Sequence, residues 1–185
     1  MKNKSIKLLG LAVIVAFFSC RGNQKKNDLD AQIKSYVQSA KTLKDTARGF
    51  TIDIPEGWQR VEKEANGVRF TFLMGPKANG FQVNLNILKD NMKGMSFDEY
   101  IDYNLKHMGG VEPVNLKQTD ITINGIKSKV IKYNAVVQNL DLQLGSYVIP
   151  ANDGSAYIIT TTELAADKPG FQDVFDKAVN SFKVN

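Results

Sequence analysis

An α+β fold, with an antiparallel β-sheet flanked by helices, is predicted by three features of this chain. Long stretches alternate apolar and polar residues at the period of a strand, the turns between them are of hairpin length, and the last segment carries an apolar stripe at helical spacing. Hairpin-length turns join antiparallel neighbours only, because a parallel return needs a crossover of a dozen or more residues. A helix with one apolar face must then lie on the sheet. At 185 residues and 43% apolar content the chain can bury a core as one domain. Its single cysteine, Cys20, leaves that core without a disulfide.

Residues 1–19 have the layout of a secretory signal: a basic start (Lys2, Lys4, Lys7), an apolar middle (Leu8 to Phe18) and a small residue, Ser19, before the cysteine. The apolar middle is shorter than the about 20 residues that a membrane-spanning helix needs. The ending Phe17-Phe18-Ser19-Cys20 resembles the lipobox of bacterial lipoproteins, with Phe17 where leucine is usual. That resemblance implies acylation of the Cys20 thiol and cleavage before it. Removing the signal takes three of the 24 basic residues and none of the 19 acidic ones, so the net charge falls from +5 to +2. Such a balance gives no case for nucleic-acid binding, which requires a clustered basic face.

Residues 20–28 contain no apolar side chain beyond the cysteine and read as a lipidated tether. Leu29, Ile33, Tyr36, Val37, Ala40 and Leu43 then recur at helical spacing, with Asp28 and Asp30 suited to a helix N-terminus, which predicts an amphipathic helix over about 29–45. Residues 29–48 therefore form a helix and linker, and 49–185 the main domain.

Within that domain, Phe50, Ile52 and Ile54 alternate with Thr51 and Asp53, and Pro55 and Gly57 end the run. Val68, Phe70 and Phe72 repeat the pattern, as do Phe81, Val83, Leu85 and Ile87, which predicts a three-stranded meander. Ser96-Phe97-Asp98-Glu99 has the spacing of a capping box, opening a helix that stops at Gly109-Gly110. Four strands follow at 114–123, 126–137, 142–149 and 155–162, the first pair joined by Asn124-Gly125, a strong hairpin signal. The apolar parity changes between Val130 and Ile131, which predicts a bulge there. Phe171, Val174, Phe175, Ala178, Val179 and Phe182 share one helical face, and Pro169 suits the first turn.

The segment Phe50-Thr51-Ile52-Asp53-Ile54-Pro55-Glu56-Gly57-Trp58, the Ser96 helix, the Ile123-Asn124-Gly125 hairpin, the Ala156-Tyr157-Ile158-Ile159-Thr160 strand and the Phe171-to-Phe182 helix together resemble the PsbP/DcrB-like α/β/α sandwich group. The resemblance spans about residues 49 to 184. It implies an antiparallel sheet between helical layers, often carried by a bacterial lipoprotein, and a binding or assembly role such as that of extrinsic photosystem subunits or a nuclear Ran-binding relative. Members of the group do different jobs, so the fold transmits no ligand.

Catalytic chemistry finds little footing. His107 is the only histidine, which removes any multi-histidine metal site, and its place near a helix end suits a capping role. No G-x-S-x-G elbow or phosphate-cradling glycine loop is present. Met92 and Met95 with His107 and Met108 suggest a copper(I) site, but Met95 and His107 lie at opposite helix ends, about 18 Å apart. Asp98, Glu99 and Asp102 complement the helix dipole. No cofactor and no metal site is expected.

Two features remain. Trp58 is either a partner anchor or a core plug. Arg69, Gln82, Asn84 and Asn86 fall at the non-core parity of their strands, where a polar face either binds a ligand or partner or is merely solvated. The expectation is a lipid-anchored, non-catalytic binding or assembly module on the periplasmic side of a bacterial envelope. Its membrane contact runs through the lipid and its partner is an envelope protein. Because Arg21 stands where an aspartate signals inner-membrane retention, the outer membrane is favoured over the inner. The alternatives are an envelope enzyme acting at the Arg69/Asn84 face and a small-ligand carrier.

Overall fold

The computed structural model describes residues 40–65, 67–108, 112–166 and 170–185. The signal, Cys20, the tether and the predicted helix as far as residue 39 lie outside the described residues. So do Gly109, Gly110 and Pro169.

Strands β3 (Gln59–Ala65), β4 (Val68–Ala78), β5 (Phe81–Asn91), β6 (Val114–Ile123), β7 (Ile126–Val137), β8 (Leu140–Pro150) and β9 (Ser155–Leu164) form a seven-stranded sheet in the order β3-β4-β5-β9-β8-β7-β6. All its pairings are antiparallel. A three-stranded sheet, β1-β2-β10, is built from β1 (Ala40–Asp45), β2 (Phe50–Pro55) and β10 (Lys183–Val184). Helices α1 (Phe97–Lys106) and α2 (Gln172–Asn180) complete the described elements. The predicted α+β class is the one observed.

Opposite faces of the large sheet carry different cover. On one, the Tyr100 hydroxyl of α1 donates to Asp90 at 2.8 Å, and Lys129 pairs with Asp98 at 3.4 Å. On the other, the Tyr147 hydroxyl donates to Asp176 of α2 at 3.0 Å, and Tyr157 packs edge-on against Phe50 and Phe182. Val174, Phe175, Ala178 and Val179 of α2 are buried, the face that the periodicity predicts. No side chain caps α2 from its own N-terminus; the buried Glu163 carboxylate of β9 accepts instead from the Phe171 amide at 2.6 Å. A carboxylate there suits the positive end of the helix. A Cβ at Gly170 would come within 2.7 Å of that carboxylate, which would have to shift away from the helix N-terminus.

The capping box is present as predicted: Ser96 Oγ accepts from the Glu99 amide, and the Glu99 carboxylate accepts from the Ser96 amide at 2.8 Å. Asn124 and Gly125 both take positive φ (45° and 81°), the turn that a two-residue hairpin demands.

Three expectations are corrected. Residues 40–45, assigned to the end of a helix, form β1; four turn residues ending in Gly49 (φ 72°) fold it onto β2, and pairing from Ala40↔Pro55 to Asp45↔Phe50 outweighs a helical spacing carried by few residues. The expected meander of residues 50–54, 68–72 and 81–87 does not form, because β2 leaves for the small sheet and β3 takes its place. No bulge interrupts β7 at Val130: its pairing with β8 runs unbroken from Lys129 to Val137. Both parities of β7 are buried because the sheet is covered on both faces, Val130 under one cover and Ile131, Tyr133 and Ala135 under the other. The register shifts lie instead at Met74/Lys77 in β4 and Val114/Lys117 in β6.

Candidate functional site

The four residues expected to share a polar face separate. Gln82, Asn84 and Asn86 alternate along β5 on the face that α1 covers, where Asn84 faces Thr162 and Asn86 faces Thr160 across the β5–β9 pairing. Asn84 is 4% exposed and Asn86 0%, so they are structural polar groups beneath a layer, not a solvated surface. Asn84 Nδ2 donates to the Gln82 carbonyl at 3.0 Å. Arg69 stands on the opposite face: it pairs with Glu64, and Thr71 two residues on faces Ile87, not Asn86. An enzyme site joining Arg69 to Asn84 therefore has no geometric basis.

Arg69 and Gln82 each line a cleft, and the two clefts flank the same strand, β3. On the small-sheet side, a cleft of about 550 Å³ is bounded by Lys44 of β1, Arg48 of the β1–β2 turn, Arg60, Glu62 and Glu64 of β3, and Arg69 of β4. On the α1 side, a smaller cleft of about 320 Å³ is lined by Gln59, Val61 and Lys63 of β3 with Met74, Lys77 and Gln82. Alternation explains the division, since successive strand residues point to opposite faces.

An ion network fixes the first cleft. Arg48 Nη2 pairs with Asp45 Oδ2 at 2.5 Å and with Glu62 Oε2 at 3.2 Å, and also donates to the Thr71 hydroxyl. Thr71 in turn donates to Glu62 at 2.8 Å, while Arg60 Nε reaches Glu62 at 2.7 Å. The Arg48 guanidinium lies 5.3 Å from the centre of the Phe50 ring, a cation–π contact, and its side chain is only 13% exposed. Tyr157 completes the clamp by donating to the Arg48 and Gly49 carbonyls. Burial works to raise the Asp45 pKa, but hydrogen bonds from the Arg48 side chain and backbone, with the charges of Arg48 and Arg60, prevail and hold it below the usual aspartate range. The network thus pins the β1–β2 turn to the edge of the large sheet.

Trp58 supports that edge from beneath. It is 7% exposed, packs edge-to-face on Phe175 with centroids 6.0 Å apart, and lies so close to Gly75 that a Cβ there would come within 2.7 Å of the ring. The core role therefore holds for Trp58 and leaves no exposed anchor. His107 caps α1: its backbone amide donates to the Asn104 carbonyl, and its ring lies 4.2 Å from that of Tyr103. Among the described residues no group of three or more His, Cys, Asp or Glu side chains could hold a metal ion.

Asp45, Arg48, Arg60 and Glu62 are the residues that the sequence analysis passed over. Their signal was present as the alternation of Arg60, Glu62 and Glu64, a charged edge-strand pattern in which apolar alternation is missing.

A two-faced antiparallel sheet with helices packed on it defines a class of small α+β modules, and the comparisons place the chain in one family of that class. The family model described as PsbP matches residues 38–184, and the chain belongs to that family. The solution structure of the cyanobacterial PsbP protein CyanoP from Synechocystis sp. PCC 6803 is similar with a TM-score of 0.60 at 16% identity, over 91% of this chain and 99% of that one. LpqN of Mycobacterium tuberculosis, described as involved in cell envelope biogenesis, has a TM-score of 0.55 at 9% identity, over 83% and 97%. The Saccharomyces cerevisiae Ran-binding protein Mog1p has a TM-score of 0.56 at 10% identity, over 79% and 95%. At these identities the likeness is one of fold. A search of curated protein sequences finds no significant match.

Proposed function

We propose that this chain is a lipid-anchored, non-catalytic binding or assembly module of the bacterial envelope, held through Cys20 on the periplasmic side, at the outer membrane in preference to the inner. The observation that carries the binding role is the pair of open clefts along β3, lined by charged side chains that form no convergent acid–base pair. The lipobox-like Phe17-Phe18-Ser19-Cys20 ending supports the anchor. LpqN, whose description concerns envelope biogenesis, and Mog1p, described as Ran-binding, supply precedents on the same fold. The small-ligand alternative wants an enclosed apolar cavity, and the clefts along β3 are open and rimmed by charge.

The test is affinity capture of the chain from native membranes after cross-linking, beside a Cys20→Ser variant. Wild type is expected to partition into detergent with an acylated mature mass and to retain an envelope protein. Unchanged partitioning and mass in Cys20→Ser would defeat the anchor, and turnover of an envelope metabolite abolished by Arg69→Ala would defeat the non-catalytic role.

A further inference from the structure

We propose that the open edge of β3 docks an extended segment of a partner protein, acidic on one face and apolar on the other, by adding it as an eighth strand of the large sheet. The inference rests on the binding-module function and names the partner's chemistry.

Among the described residues β3 pairs with β4 alone, so its outer edge presents backbone N–H and C=O groups with no strand to receive them. A strand laid along that edge would satisfy them, and its side chains would fall alternately to either face. On one face they enter the cleft of Arg48, Arg60 and Arg69; on the other they enter the cleft floored by Val61 and Met74. The edge thus has a built receptacle for each parity of an incoming strand.

Charge decides which strand fits. Five cations line the arginine cleft against three carboxylates. Asp45 and Glu62 are taken up by Arg48 and Arg60, which leaves Glu64 facing the remaining cations. A segment carrying Glu or Asp toward the arginine cleft would be attracted and oriented, and a basic one repelled. Small apolar residues at the alternate positions suit the Val61 and Met74 side.

The probe is an acetylated and amidated octapeptide of alternating glutamate and valine, added to the full chain in detergent and read by hydrogen exchange and titration calorimetry. Alternate amides of β3 already bond to β4; the outward-facing ones should become slow to exchange only in the peptide's presence. Arg69→Glu should weaken binding at least tenfold with the thermal midpoint unchanged, a lysine-for-glutamate peptide should not bind, and methylating alternate peptide amides should abolish binding. Equal binding of the methylated peptide would reduce the effect to charge adhesion and overturn the proposal. Protection of the outward-facing β3 amides before any peptide is added, or new protection confined to 114–123, would overturn it as well. An envelope protein captured from membranes but cross-linked away from β3 would refute the edge while leaving the binding-module function standing.

Discussion

The two edges of the large sheet solve the same problem differently. Among the described residues, both β3 and β6 present an unpaired row of backbone groups, an invitation to aggregation unless blunted. At β6 the blunting is local: a register shift between Val114 and Lys117, with Asn115 at φ 56°, interrupts the start of the strand before regular pairing from Lys117 to Ile123, and the neighbouring charges, Asp98 and Asp120 against Lys127 and Lys129, balance. At β3 the strand is regular along its whole length, and protection comes from charge and from a clamp that ties the small sheet to it. A regular edge with surplus cations is selective where an irregular, neutral edge is merely closed. The comparison assigns recognition to β3 and termination of the sheet to β6.

The largest effect should come from removing what holds the β3 edge from below. Phe175 is 1% exposed and meets Trp58, which in turn seats against Gly75 at the register shift of β4. Phe175→Ala is expected to cost about 3–5 kcal/mol in denaturant unfolding. A loss below about 1 kcal/mol would mean that Trp58 and the β3 edge stand without α2, and the two edges would then be equally self-supporting.

Next is the clamp itself. Arg48→Ala leaves the buried Asp45 carboxylate with Arg60 at 3.5 Å and the backbone amide of residue 48 at 3.0 Å, and a loss of about 2–4 kcal/mol is expected, because a buried charge stripped of its closest ion pair costs more than the pair contributes. The pH dependence follows from the depressed Asp45 pKa. Its stabilisation is complete above the unfolded value, near 3.9, and is lost as pH falls through the lower folded value. The gap in thermal midpoint between wild type and Asp45→Asn should therefore be widest near neutral pH, narrow as pH falls, and close only once pH lies below the lowered folded value. A gap that is constant across that range would show that the Asp45 charge contributes nothing to the clamp.

Much of this architecture is legible in the residues. The capping box at Ser96, the Asn124-Gly125 turn and the α2 stripe each have a local cause, and each forms where local chemistry puts it. What cannot be read locally depends on partners distant in sequence. β1 looks helical over six residues until β2 offers it a ladder, and β3 has no apolar alternation because its side chains line an open cleft on either face. The same limit explains the dispersal of the candidate site: parity along β5 groups Gln82, Asn84 and Asn86 correctly, but only the β4–β5 register reveals that Arg69 points to the other face. Burial on both faces was equally invisible, which is why a buried asparagine pair resembled a solvated surface and why Val130 beside Ile131 resembled a bulge.

That dispersal is measurable. Asn84→Ala should cost about 1–2 kcal/mol, since it removes a buried amide that donates to the Gln82 carbonyl, whereas Arg69→Ala should stay within about 0.5 kcal/mol. Thermal melts of the two variants suffice. Equal losses would put both residues in the same environment and contradict the register.

The smallest effect is expected at the opposite edge. Leu116 and Val136 are 41% and 71% exposed, so Leu116→Ser and Val136→Thr remove apolar surface that is already largely in water, and each should shift stability by no more than about 0.5 kcal/mol. Lowering the apolar content of an edge that only terminates the sheet should leave partner capture unchanged, in contrast to Arg69→Glu. A loss above about 1 kcal/mol in Leu116→Ser would mean that the register shift at Val114/Lys117 depends on that side chain, so the edge would be held by packing, not by local backbone geometry. Loss of capture in either variant would move recognition from β3 to β6 and reverse the assignment of the two edges.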